Sequence, residues 1–153
     1  MTYSRYLCSG VLACTLALSG ATVAACDGVV VSTAWVRTPP PGASMAAAYF
    51  TLENRGRTPA RIVGVESPDF DGAMLHETRY VEGAARMRHV EAIDIEPGAH
   101  FRAAPGGTHV MLMGAHGELE NGAIVHLRLL CAGGGALDLA AIITAQAPAG
   151  PAP

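Results

Sequence analysis

The segment APGGTHVMLMG, residues 104–114, carries His109, Met111 and Met113 at alternate positions among apolar neighbours. Successive side chains of a β-strand point to opposite faces, so these three share one face if the segment is a strand. A second concentration lies upstream, where MLHETRYVEGAARMRH, residues 74–89, holds Met74, His76, Met87 and His89. Of the six methionines, all but Met1 and Met45 fall between residues 74 and 113, and four of the six histidines fall in the same window. Imidazole nitrogen and thioether sulfur on one surface make a ligand set for a soft cation. Thioether sulfur is neutral and polarisable; it disfavours Ca²⁺ and Mg²⁺, suits Zn²⁺ poorly and matches Cu(I). It also cannot form a disulfide in an oxidising compartment, as a thiolate would. Taken singly, a methionine is an ordinary core filler, and His100, His116 and His126 read as surface or hydrogen-bonded residues.

A hairpin must position the upstream set. If Glu82-Gly83 is a two-residue turn, Val81 faces Ala84, and counting outward sets Thr78 opposite Met87 and His76 opposite His89. These four then share a face, with His76 and Met87 diagonal neighbours about 7–8 Å apart at the backbone. A slip of one residue would send them to opposite faces. A strand at 108–114 laid alongside adds His109 and Met111, which completes a site of two imidazoles and two thioethers.

The remaining chain supplies a framework of strands. Short runs rich in Val, Ile, Thr and aromatics, broken by glycine and proline, predict strands at 29–37, 47–54, 60–67, 73–80, 85–91, 100–104, 108–114, 123–131 and 136–144. With no amphipathic helix in view, this pattern implies an all-β sandwich or barrel. A length of 153 residues at 50% hydrophobic content fits one domain. The ten basic residues are all arginines, scattered along a chain of net charge −3, so the basic stripe of a nucleic-acid binder is missing. No HExxH or G-x-S-x-G signature supports an enzyme.

Residues 1–25 read as an export signal: Arg5 lies in the n-region, residues 7–18 are apolar and uncharged, and Val23 and Ala25 satisfy the small-residue rule before Cys26. Export implies an oxidising compartment. Cys8 and Cys14 leave with the signal, and the remaining pair, Cys26 and Cys131, suggests a disulfide. A competing fate is open, because VAAC at 23–26 resembles the lipobox of bacterial lipoproteins, whose cysteine is acylated and anchors the chain to a membrane. Acylation of Cys26 and the disulfide exclude each other, and two free thiols are the third possibility. Residues 26–145 form the expected domain, followed by a Pro/Ala-rich tail at 146–153 with the composition of a disordered segment.

The order His76, ten residues, Met87, twenty-one residues, His109, one residue, Met111 reproduces H-x10-M-x21-H-x-M. This pattern resembles that of the PCuAC periplasmic copper chaperone family. Likeness extends to AWVRTPPPGASMAAAYFTLENRG (34–56) and MRHVEAIDIEPGAHFRAAPGGTHVMLMG (87–114), and covers roughly residues 29–145. The resemblance implies a cupredoxin-like Greek-key β fold, one Cu(I) per chain bound by His76, Met87, His109 and Met111, and delivery of copper to the centres of cytochrome c oxidase through an oxidase subunit or assembly factor. Where some members carry a methionine after the first histidine this chain has Glu77, and Met74 is an alternative sulfur. His89 is a candidate auxiliary group on the face of His76. The His/Met-rich C-terminal extension of some members is not matched here. Two other readings remain: a metal-free binding or structural module of the cell envelope, and a blue-copper electron carrier, which needs a thiolate with two histidines.

Overall fold

The computed structural model describes residues 26–148, so the expected signal segment and the last five residues of the tail lie outside the described residues. Ten strands follow one another: β1 Val29–Arg37, β2 Met45–Asn54, β3 Ala60–Glu66, β4 Phe70–Val81, β5 Ala84–His89, β6 Ile93–Ile95, β7 His100–Arg102, β8 Thr108–Ala115, β9 Ile124–Cys131 and β10 Ala136–Thr144. Among the described residues there is no helix. Alternation dictates the layers. In β9 the side chains of Val125, Leu127, Leu129 and Cys131 are buried, while Ile124, His126 and Arg128 face out. Such a period of two is what one buried and one solvated face require.

The strands form one sheet in the order β5-β4-β8-β2-β1-β10-β9-β3-β6, with β7 added beside β2. Neighbours are antiparallel except β1 and β10, which pair in parallel. Because buried residues of strands far apart in this order meet in one cluster, the sheet wraps on itself as a cupredoxin-like all-β fold. Phe50, Leu52, Ile62, Leu75, Val110, Leu112, Leu127, Leu129 and Ile143 are among its most deeply buried members.

Nine strands fall where the sequence pattern puts them, with ends moved by up to three residues, and β6 is an addition. At three residues it is too short to show a period; it exists because Ile93 and Ile95 pair with Ile62 and Ala60 of β3 and close the core there. Asn54 is a fully buried polar residue with every need met. Its Nδ2 donates to the carbonyls of Thr58 and Ile95 at 2.9 and 2.8 Å, and its Oδ1 accepts from the Gly56 amide at 2.9 Å. It holds the turn between β2 and β3 against β6.

Cys26 and Cys131 are joined as a disulfide, with Cα atoms 5.8 Å apart and a sequence separation of 105. The bond ties the segment before β1 to the end of β9. The turn between β4 and β5 has positive φ at both central residues, 52° at Glu82 and 79° at Gly83, the type I′ geometry that follows the twist of a hairpin. It fixes the register as counted: Val81 pairs with Ala84, Thr78 with Met87 and His76 with His89.

Candidate metal centre

Strand β4 lies between β5 and β8, and one row of three histidines crosses all three strands. His76 is directly opposite His89 on one side and His109 on the other. The ring centroids are 6.0 Å apart for His76 and His89 and 6.1 Å apart for His76 and His109, both edge to face. In the next row Met74 faces Met111, and beyond it Met113 pairs with Gly72 on β4 and with Met45 on β2. Core residues such as Leu75, Val110 and Leu112 alternate with this set, so the donors occupy the outer face.

Met87, His109 and Met111 line one shallow depression of about 260 Å³, whose far rim is formed by Arg37 and the Pro39-Pro40 turn. His76 is the cross-strand neighbour of His109 and does not itself line the depression. Met74 lies cross-strand from Met111 and 44% exposed, but it does not line the depression, as Met87 and Met111 do. The largest cleft, about 980 Å³, is elsewhere, between the start of β4 and strands β9 and β10.

The two imidazoles differ in their hydrogen bonding. The His109 Nδ1 lies 3.0 Å from the Gly107 carbonyl, which can only accept, so Nδ1 carries the proton and Nε2 keeps its lone pair. Although on the outer face, His109 is only 7% exposed. Trp35 and Tyr49 stack with centroids 4.6 Å apart and wall off its flank, the Tyr49 ring lying 6.4 Å from the imidazole. His76 differs, because its Nδ1 is buried with no hydrogen-bond partner among the described residues. Burial, then the imidazoles of His109 and His89, holds His76 below its ordinary value of 6.5, and so neutral. With the folded value below the unfolded one, this residue's contribution to stability is fully present above pH 6.5 and is lost as the pH falls toward the folded value.

His116 shows the contrasting arrangement. Its Nε2 lies 2.9 Å from an Asp71 carboxylate oxygen and its Nδ1 3.1 Å from the Pro68 carbonyl, two acceptors that together favour the doubly protonated ring. The Asp71 carboxylate raises its pKa. A histidine so placed is biased toward its charged form, which makes it a poor ligand.

Among the described residues, no three His, Cys, Asp or Glu side chains are grouped to hold a metal ion. The thioethers beside His109 add soft, neutral donors to this face. Both described cysteines are in the disulfide, which leaves the described residues without the thiolate a blue-copper centre requires. His89 is exposed and placed beside His76 rather than at the depression.

The family model "Putative lipoprotein LpqE-like" matches residues 29–143, which includes all ten strands except the last residue of β10. The chain belongs to the LpqE-like family. A curated relative, "Putative lipoprotein Lxx21020" of Leifsonia xyli subsp. xyli (strain CTCB07), is 38% identical to this LpqE-like chain over 104 residues, covering 67% of it. The chain spans 61% of that relative's length. Among solved structures, the apo PCuAC domain from PmoF1 is similar with a TM-score of 0.63 and 27% identity, over 78% of this chain and 95% of that one. The solution structure of CuI-DR1885 from Deinococcus radiodurans is similar with a TM-score of 0.57 and 34% identity, over 72% and 74% of the two chains. The LpqE-like chain thus resembles PCuAC domains in both sequence and fold.

The unpartnered nitrogen of His76 makes a prediction about stability. An unmet buried polar group costs about 1–3 kcal/mol, whereas an apolar group of similar size in its place has nothing to satisfy. His76→Leu should leave the metal-free protein as stable as the parent, or more stable by up to about 1 kcal/mol in urea unfolding. A loss of about 2 kcal/mol or more would show instead that the imidazole is a packing element of the apo fold.

Proposed function

We propose that this protein is an exported copper carrier that binds one Cu(I) through His76, Met87, His109 and Met111 and passes it to an acceptor protein. The observation that carries this reading is the state of the two imidazoles. His109 has its Nδ1 directed at the Gly107 carbonyl, while His76 keeps a buried nitrogen that no group among the described residues satisfies. The thioethers of Met87 and Met111 lie at the same depression as His109. Such a donor set is neutral and soft, which favours a monovalent d¹⁰ ion over divalent hard ones. Only the histidines must be proton-free, and His76 is already held in that form.

Delivery is supported by exposure. Met87 is 54% exposed on an edge strand, so an incoming ligand can reach its side of the site. Exchange of neutral ligands one at a time lets the ion leave without passing through water as a free cation. The acceptor class we assign is a subunit or assembly factor of cytochrome c oxidase, following the likeness to PCuAC domains. No step of this role needs catalysis, and the chain is read as a binding protein and not an enzyme.

We place the chain outside the cytoplasm, in the periplasm, on the strength of its N-terminal pattern and its kinship to lipoproteins. The lipoprotein fate and the disulfide compete for one sulfur. The Cys26–Cys131 bond fits an exported domain freed by cleavage after Ala25. Mass spectrometry of the secreted form should find the mass of residues 26–153 less two hydrogens; a diacylglyceryl adduct on Cys26 would overturn this in favour of a membrane anchor.

The copper assignment is tested by titrating the protein with Cu(I) against a chromophoric chelator, beside a His109→Ala/Met111→Ala variant. One equivalent held by the parent, and a fall in affinity of about a hundredfold or more in the variant, is the expected result. If the parent leaves all copper with the chelator, the face is a set of packing residues and the envelope-module reading takes its place.

A further inference from the structure

Met45 belongs to neither the H-x10-M-x21-H-x-M pattern nor the core. It opens β2, directly after the turn of Pro39 to Ser44, and is 52% exposed. Exposing a large thioether at a strand position facing its own sheet neighbours wastes apolar area that burial would make stabilising. Yet its side chain lines the same depression as Met87, His109 and Met111. The register explains how. Met111 is directly opposite Ala47, whose methyl leaves the floor low, and Met45 is the diagonal neighbour of Met111 across that gap. Met113, the direct partner of Met45, turns the other way. Its terminal methyl lies over Gly72, 3.3 Å from where a Cβ would stand, in room that only glycine leaves on β4.

We infer that Met45 is a third sulfur donor for the ion, forming with Met87 and Met111 an all-thioether holding position at the mouth of the depression, in front of the imidazoles. The inference rests on the copper reading given above and adds a place where the ion sits before and after it. Three neutral thioethers can hold a soft monovalent cation without releasing a proton. On moving inward the ion gains bonds to His109 and His76 and gives up the bond to Met45; no electron or proton changes hands. Met45 and Met111, diagonal on neighbouring strands, stand about 7–8 Å apart at the backbone, a span that two flexible methionine side chains can close around one ion, and Met87 reaches the same depression from β5. The rim beyond Met45, Pro39 and Pro40, restricts the backbone there and keeps that wall of the depression in place.

The test removes the imidazoles and keeps the sulfurs. A His76→Ala/His109→Ala variant, labelled at the methionine methyls with ¹³C, is titrated with Ag(I) as a redox-inert soft cation and followed by NMR. The expected result is that the first equivalent moves the methyl signals of Met45, Met87 and Met111 together, and that adding Met45→Leu weakens binding about tenfold or more. A Met45 signal that stays still while Met87 and Met111 move, or no response at all, overturns the inference. A second readout covers a double variant that fails to fold: Met45→Leu with both histidines intact should slow Cu(I) uptake from a chelator in stopped flow, and a rate equal to the parent's also overturns it. Failure of the parent itself to take up Cu(I) would instead sink the copper reading, so the two failures are told apart.

Discussion

The placement of His76 on the central strand of three constrains everything on the outer face. Antiparallel pairing on both sides puts a histidine directly opposite it twice, at His89 and His109, while the alternate residue Leu75 is locked into the core. A slip of one residue in either ladder would bury the histidine and expose the leucine, so burial of Leu75, Val110 and Leu112 holds the donors in register. The hydrophobic core thereby fixes which histidines and methionines share the outer face. The Trp35 and Tyr49 stack then closes one side of His109 and leaves its ring facing the depression.

This arrangement sets apo stability against readiness to bind. The buried nitrogen of His76 lacks a partner, and Met45, Met74 and Met87 stand about half exposed. Each is a local cost in the free protein, and a soft ion held as proposed above would relieve it at His76 and Met87. The disulfide and the fully satisfied Asn54 lie away from this face, around the turn from β2 to β3 and the end of β9, and stabilise the fold where no ligand has to exchange. The opposite face of the β4-β5 hairpin is occupied by charge, with Arg79 and Arg88 sharing Glu77 at 2.8 and 2.7 Å, which discourages the edge strand from pairing with another chain.

Much of this was legible in the sequence because it depends on counting. The Glu82-Gly83 turn fixed the register of one hairpin, and period-two alternation fixed which residues of 108–114 face together. What the sequence did not reveal depends on contacts between distant segments. Strand β6 is made by pairing with β3, and three residues carry no period of their own. Met45 looked like one isolated methionine because its neighbours at the depression come from β5 and β8, which only the folded sheet brings beside β2. The burial of His109 was likewise hidden, since the aromatic wall comes from β1 and β2.

The central claim is that imidazole and thioether act together on one soft ion, and X-ray absorption of the Cu(I)-loaded protein tests it most directly. The account predicts a first shell containing both nitrogen and sulfur scatterers, with the sulfur contribution lost in a Met87→Leu/Met111→Leu variant. A shell of nitrogen and oxygen alone in the parent would contradict it and return the methionines to the role of surface packing.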